Sequence, residues 1–187
     1  HTFNHNISLN GGSDKMKYAF SYSHMDDKAI MQMSDFKRDN ANLKLSHKPI
    51  KNITIDLSAR FSRTKINGGG ANDANSSLNT DKRLKYAVQY TPFPVPGLSD
   101  ELNSDNEEPS SLPINPSTSL IDNDTRKERT TYNLGAGFTW EIIKDLRFKS
   151  EFGYDDYRYN TDRYYGPSTY YVRNTPSSTN QGKPAVT

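Results

Sequence analysis

Apolar and polar side chains alternate with a period of two along six segments of the chain. This alternation is typical of β-strands that have one apolar face and one polar face. The fourth segment is the most regular, with apolar residues at Ile53, Ile55, Leu57, Ala59 and Phe61 and polar residues between them. The pattern predicts six strands, at residues 2–10, 15–24, 39–48, 52–65, 130–141 and 146–160.

The connections between these segments alternate between tight and long. The tight ones, at residues 11–14, 48–51 and 142–145, have the length or the chemistry of hairpin turns. The long ones span residues 24–38 and 66–129, and a third begins near residue 160. We therefore expect an all-β, antiparallel, up-and-down sheet with its tight turns at one edge and its long loops at the other. Within 66–129, a short helix is predicted from Thr80 to before Pro92.

Period-two alternation alone leaves two media open for the apolar face. A soluble sandwich buries that face against a second sheet, whereas a membrane barrel turns it toward lipid. Strands of about ten residues match the apolar band of an outer-membrane barrel, and so does the alternation of short turns with long loops. Aromatic residues gather at the long-loop ends of the strands, as in an interfacial girdle: Phe20, Tyr22, Phe61, Tyr154, Tyr157 and Tyr159.

The amino-acid composition supports the prediction of a sheet. The 187 residues are only 32% hydrophobic, yet 11% are aromatic, and the formal net charge is +2. A chain this poor in aliphatic residues suits a sheet surface better than a thick core, while its aromatics and near-neutrality argue against disorder. There is no cysteine, which excludes disulfides and thiolate metal sites. No apolar run is long enough for a transmembrane helix, and the small net charge gives no support to nucleic-acid binding.

No catalytic, cofactor-binding or metal-ligating constellation is found, and we predict that the chain is not an enzyme. The four histidines have no shared spacing suited to a metal, and the glycines at 68–70 lack the lysine and hydroxyl of a phosphate loop. The acidic stretches at 99–108 and 122–125 contain oxygen ligands that calcium could use. They lack EF-hand spacing, so a solvated acidic loop is favoured.

Four tyrosines in the last long connection are the candidate contact residues. Exposed aromatic rings can stack on sugar rings, or they can pack against a partner that closes over the loops. We expect these tyrosines to contact a substrate or such a lid: Tyr164, Tyr165, Tyr170 and Tyr171.

Several stretches, in their order, resemble one transporter family. Residues 18–69, the element "YTPFPVP" at 90–96, and "NPSTSL" followed by 133–160 are similar to the middle barrel region of SusC/RagA-type TonB-dependent outer-membrane transporters of Bacteroidota. The resemblance covers nearly all of residues 3–165 and lies in the order and spacing of several weak motifs. One departure is Ala29, which precedes Ile30 where the family usually has glycine.

The resemblance implies a setting in the outer membrane of a Gram-negative bacterium and contact with outer-membrane lipid. Such transporters have a 22-stranded barrel with an N-terminal plug and a TonB-contacting segment, and they pair with a SusD-like surface lipoprotein. They import oligosaccharides, or in some cases peptides, and need no cofactor of their own. The plug and the TonB segment are not present here, and six strands cannot close a membrane barrel. The chain is therefore expected to be an internal part of one.

Two other functions are consistent with the same pattern. A passive porin or another outer-membrane barrel would have the same strands without TonB coupling. A soluble all-β surface-binding or adhesin module would bury the apolar face against protein. Detergent dependence separates the soluble module from a barrel, and the transporter interpretation fails if side chains such as Ile53, Leu57 and Phe138 fill a dry interior between two packed sheets.

Overall fold

The computed structural model describes residues 1–68, 87–90, 92–93, 115–166, 169 and 185–186. It confirms an all-β fold of antiparallel strands whose order in the sheet follows their order in the chain. The sheet is open, with β1 at one edge and β7 at the other. The strands are β1 (Thr2–Gly12), β2 (Met16–Lys28), β3 (Asp35–Ile50), β4 (Ile53–Asn67), β5 (Asn123–Ile143), β6 (Leu146–Tyr165) and β7 (Ala185–Val186).

The strands extend beyond the predicted bounds, chiefly at their long-connection ends. The predicted 24–38 connection shrinks to residues 29–34, and β5 begins at Asn123, inside the predicted 66–129 loop. The alternation signal fades there because charged residues occupy both faces. A short helix, α1 (Pro116–Asp122), precedes β5, and the Asn115 side chain caps it by accepting a hydrogen bond from Ser117 N at 2.9 Å.

The helix predicted before Pro92 lies mostly outside the described residues. Residues 87–89 of that segment are helical. The acidic stretch at 99–108 lies outside the described residues altogether.

The tight turns form as hairpins. β1 pairs with β2 from Thr2 opposite Asp27 to Gly12 opposite Lys17. In the β5–β6 turn, Asp145 adopts a left-handed backbone with φ of 70°. Aspartate tolerates this conformation better than most residues, which explains its use at this position.

The chain divides into two compact units. Unit 1 contains His1–Asp27, Phe36–Lys65 and Glu128–Asn160, and therefore most of β1 to β6. Unit 2 contains Lys28–Asp35, Ile66–Lys127 and Thr161–Thr187, which include the ends of several strands, helix α1 and β7.

Unit 1 is a single sheet with two distinct faces. Directly opposed residues of antiparallel strands share a face, so the pairing of Ile7 with Tyr22 and of Leu9 with Phe20 places the apolar side chains of β1 and β2 together. Side-chain contacts extend this assignment through β6. The apolar face takes the odd residues of β1, β3 and β4 and the even residues of β2, β5 and β6, and the polar face takes the others.

Candidate functional site

Each face of unit 1 has a hollow. The larger of the two, about 660 Å³, opens on the polar face and is lined by residues from five successive strands, β2 to β6. The other, about 330 Å³, is lined mainly by apolar-face residues such as Leu43, Leu134 and Phe152. Polar and charged side chains surround the larger hollow, among them Lys17, Lys44, Asp56 and Glu151. Gly135, Gly137 and Gly153 also line it. A β-carbon at Gly153 would meet nothing within 4 Å, whereas one at Gly135 would lie 2.6 Å from Ser58 Oγ and one at Gly137 3.6 Å from the Asp56 side chain.

Two rows of hydrogen-bonded side chains cross the polar face, outside the residues that line this hollow. In one, Asn40 donates to Ser23 Oγ at 3.2 Å and accepts from Ser62 Oγ at 2.7 Å. In the other, Asn42 donates to Ser21 Oγ at 3.3 Å and accepts from Arg60 Nε at 3.2 Å. Each row joins β2, β3 and β4. The rows satisfy part of the hydrogen-bonding capacity of the amides and hold their side chains in fixed positions.

A cation held by two aromatic rings lies further along the polar face. The guanidinium carbon of Arg129 in β5 lies 5.8 Å from the ring centroid of Tyr157 and 5.8 Å from that of Tyr159, both in β6. The two tyrosines are 60% and 47% exposed. Nearby on the same face, Asn133 donates a hydrogen bond to Asp155.

The apolar face carries large side chains that nothing covers in the described part of the chain. Leu57 is 44% exposed, Phe152 is 67% exposed, and Ile53 and Phe138 are half-buried. In β4 the apolar run from Ile53 to Phe61 covers about 26 Å along the strand. At a tilt of about 45° it would cross roughly 19 Å, near the height of an outer-membrane apolar band. No second sheet packs on this face among the described residues.

A charged belt follows the apolar run on the same face, beyond Tyr22, Phe61 and Tyr132. Its members form pairs between neighbouring strands or along one strand. These pairs are Asp26 with Lys37 at 3.1 Å, His24 with Asp39 at 2.7 Å, Arg63 with Glu128 at 2.6 Å, and Asp156 with Arg158 at 2.9 Å. The paired charged residues therefore begin on this face where the apolar run ends.

The Asp39 carboxylate is the best-connected group of this belt. It accepts a hydrogen bond from the Tyr22 hydroxyl at 2.7 Å, and His24 Nδ1 lies 2.7 Å from the same oxygen. The hydrogen bonds from His24 and then Tyr22 hold the pKa of Asp39 below its ordinary value. In the same way, the hydrogen bond from Arg63 lowers the pKa of Glu128. Both carboxylates are therefore ionised at neutral pH.

Two of the four tyrosines predicted as contact residues are described. Tyr164 is half-buried, while Tyr165 is only 7% exposed and has the Arg163 guanidinium 5.0 Å from its ring centroid. Tyr170 and Tyr171 lie outside the described residues. Contact of these four residues with a substrate or a lid stays a prediction.

Two residues of the predicted aromatic girdle lie on the other face. Phe20, Tyr22, Phe61 and Tyr154 are on the apolar face, as a girdle requires. The odd numbers of Tyr157 and Tyr159 place them on the polar face with Asp155, and their contacts with Arg129 confirm this. Strand parity alone predicts this placement, although the apolar alternation of β6 changes phase after Tyr154, where Asp156 and Arg158 take the even positions.

The described residues contain no group of three or more side chains suited to a metal ion. In the predicted acidic stretch 122–125, Asp124 pairs with Arg126 at 2.8 Å. Thr125 is only 1% exposed, and its hydroxyl has no hydrogen-bond partner in the part of the chain that the structure describes. Among the described residues, no helix is both long and apolar enough to cross a membrane.

Compared with protein-family models and with curated proteins, the chain matches none.

Proposed function

We propose that this chain is part of the wall of a SusC/RagA-type TonB-dependent transporter in the outer membrane of a Gram-negative bacterium. The apolar face contacts lipid, and the polar face borders the passage. The long connections form the external mouth, where a SusD-like lipoprotein would close over the cargo. The cargo would be an oligosaccharide or a peptide, moved with energy that TonB delivers through another part of the protein.

One observation carries this proposal: the large apolar side chains of unit 1 stay exposed on one face, while polar and charged side chains line a hollow on the other. A water-soluble sheet buries its apolar face, because burial removes those side chains from water. Here Leu57 is 44% exposed and Phe152 is 67% exposed, and no described residue forms a layer over the apolar face. A continuous apolar surface of this extent indicates contact with lipid or with another protein.

The edges of the sheet support a closed barrel. β1 pairs only with β2, and β6 pairs with β7 only at Asp162 and Arg163, in the described part of the chain. Long unpaired edges expose backbone N–H and C=O groups, which is costly in a bilayer and favours aggregation in water. In the proposed transporter, further strands pair with both edges and complete the barrel.

The resemblance of residues 18–69 and 133–160 favours an energised transporter over a passive porin, which would have the same kind of wall. A soluble adhesin module is disfavoured because it would need a protein layer over the apolar face.

Trp140 provides a direct test, since it is the only tryptophan of the chain and lies on the apolar face, 42% exposed. The full chain is refolded into phosphatidylcholine vesicles whose acyl chains carry bromine, a contact quencher of tryptophan fluorescence. The proposal predicts strong quenching relative to unbrominated vesicles.

The matched control moves the tryptophan by one residue. In the double variant Thr139→Trp, Trp140→Phe, the indole lies on the polar face, where brominated lipid should quench it weakly and aqueous acrylamide strongly. Equal quenching of the two proteins by brominated lipid, or stronger quenching of the double variant, would show that the apolar face is not the one that meets lipid.

A further inference from the structure

The proposed function does not explain why the Arg129 guanidinium lies beside the rings of Tyr157 and Tyr159. Arg129 and Tyr159 lie opposite each other in the β5–β6 register that the Asn133–Asp155 hydrogen bond defines, and Tyr157 is the diagonal neighbour. The π-electrons of the two rings attract the positive charge of the guanidinium. The rings do not accept hydrogen bonds from its N–H groups in the way that oxygen acceptors do. Within the described residues, no carboxylate pairs with Arg129.

Three other arginines of unit 1 have oxygen acceptors as partners, whereas Arg38 lies 5.9 Å from the centroid of one ring, that of Phe36. Arg63 is bonded to Glu128, and Arg158 is bonded to Asp156, both on the apolar face. Arg60, on the polar face, donates to Asn42. Arg129 therefore offers a fork of N–H donors whose position is fixed by Tyr157 and Tyr159. A planar, preorganised guanidinium is suited to bidentate binding of an oxyanion.

The charge of the two faces points in the same direction. The apolar face of unit 1 carries four cationic and four anionic residues, which include the pairs of the charged belt. The polar face carries more cations than anions. Its eight cations are Lys17, Arg38, Lys44, Lys48, Arg60, Arg129, Arg147 and Lys149, and its five anions are Asp27, Asp56, Glu141, Glu151 and Asp155. A surface with this excess attracts anionic solutes.

We propose that Arg129, held between Tyr157 and Tyr159 on the polar face, binds a carboxylate or sulfate group of an anionic solute. The guanidinium supplies paired hydrogen bonds and charge, and the exposed tyrosine rings offer apolar surface beside it. This inference rests on the proposed function in one respect, since the bound solute is cargo only if the chain belongs to a transporter. The binding itself needs only the folded sheet.

The test measures binding to the full chain in detergent micelles by isothermal titration calorimetry. The acidic probes are hexagalacturonate, a heparin-derived hexasaccharide and hexaglutamate, which separate a glycan source of the oxyanion from a peptide source. Maltohexaose and a hexaserine peptide are the uncharged counterparts. We expect at least one acidic probe to bind and its uncharged counterpart to bind at least tenfold more weakly.

The variants assign that binding to Arg129. Arg129→Gln should weaken it about tenfold or more, and Arg129→Lys should fall between, because lysine keeps the charge and loses the fork. Arg158→Gln is the matched control, since Arg158 lies between the two tyrosines in sequence but on the opposite face, and it should change affinity less than twofold.

The tyrosines have their own readout. Tyr159→Leu should weaken binding about fivefold because the guanidinium loses one of its two rings, whereas Tyr159→Phe keeps the ring and should bind like the wild type. The inference is overturned if no acidic probe binds, if the uncharged probes bind equally well, or if Arg129→Gln binds like the wild type. None of these results bears on the lipid contact of Trp140, so the two proposals fail separately.

Discussion

The two units of the chain place their side chains in opposite ways. Every buried residue that the structure describes belongs to unit 2, including Ser34, Thr125 and Tyr165, whereas the described part of unit 1 has none. Unit 1 instead exposes leucine, isoleucine and aromatic side chains along one face. The unit with the stronger hydrophobic pattern is thus the one without a core.

This difference shows that the alternation of apolar and polar residues does not by itself predict whether the apolar side chains are buried. In unit 1 the alternation sorts side chains onto two faces, and no described residue forms a layer over the apolar face. In the described part of unit 2 the close contacts are largely polar. Gly68 N donates to Thr125 O at 2.7 Å, and the Ser34 and Thr125 hydroxyls are buried with no hydrogen-bond partner among the described residues.

The largest effect on stability is expected from a charge placed on the apolar face of unit 1. Leu57 lies in the middle of the apolar run of β4, so Leu57→Lys places a charge where the proposal puts the centre of the bilayer. It should cost about 2–4 kcal/mol of folding free energy in lipid, measured by urea titration of the chain folded in vesicles.

The matched change is Ser58→Lys, one residue away on the polar face, where the ammonium group reaches the hollow and should cost less than about 0.5 kcal/mol. If Leu57 instead faced water, both variants would cost equally little, and the contrast between the faces would disappear.

A smaller effect tests the backbone packing of unit 2. Gly68 has a φ of 70°, and a β-carbon there would collide with Met33 O and Ser34 Oγ. Gly68→Ala should lower the free energy of unfolding by about 1–3 kcal/mol, because it adds a left-handed backbone penalty to a steric clash. The midpoint of urea unfolding in micelles measures it.

Gly153→Ala in unit 1 is the control for this substitution. A β-carbon at Gly153 meets nothing within 4 Å, so alanine should leave the midpoint unchanged or raise it slightly by restricting the unfolded chain. Equal losses at the two glycines would contradict the difference between the units.

The smallest effect concerns the charged belt at the border of the apolar face. Because the folded pKa of Asp39 is lowered, its contribution to stability is fully present above the ordinary aspartate pKa of about 4 and is lost as pH falls through the folded value. The group is close to solvent, so we expect less than about 1 kcal/mol. Carboxyl ¹³C chemical shifts of Asp39 report the midpoint directly.

His24→Gln should raise the pKa of Asp39, because His24 is the first of the two hydrogen-bonding partners that lower this pKa and glutamine carries no charge. Asp39→Asn should abolish this part of the acid dependence. An unchanged midpoint in His24→Gln would assign the lowered pKa to Tyr22 instead.

Most of the fold could be predicted from the sequence, for a local reason. Side chains of a strand alternate between faces whatever surrounds them, so the six strands and their hairpins follow from residues such as those of Ile53–Phe61. The strand ends could not be predicted as well, because charged residues on both faces hide the alternation near Lys37 and Arg126. Helix α1 has a readable start in Asn115 and Pro116, but seven residues give too little periodicity to identify it.

The candidate site could be predicted only in part. The parity of β6 already places Tyr157 and Tyr159 on the polar face, although their position near the loop end suggested a girdle. Their partner Arg129 lies 28 residues before Tyr157 along the chain, and only the register of β5 against β6 brings the three side chains together.

The sequence by itself determined that unit 1 has two faces and which residues belong to each, because that division depends on backbone geometry repeated every two residues. Only the tertiary structure decided that a hollow lined by five strands opens on the polar face and that Arg129 lies 5.8 Å from each of two rings. Such a hollow and the cross-strand register are properties of several strands acting together, and no single segment of the chain encodes them.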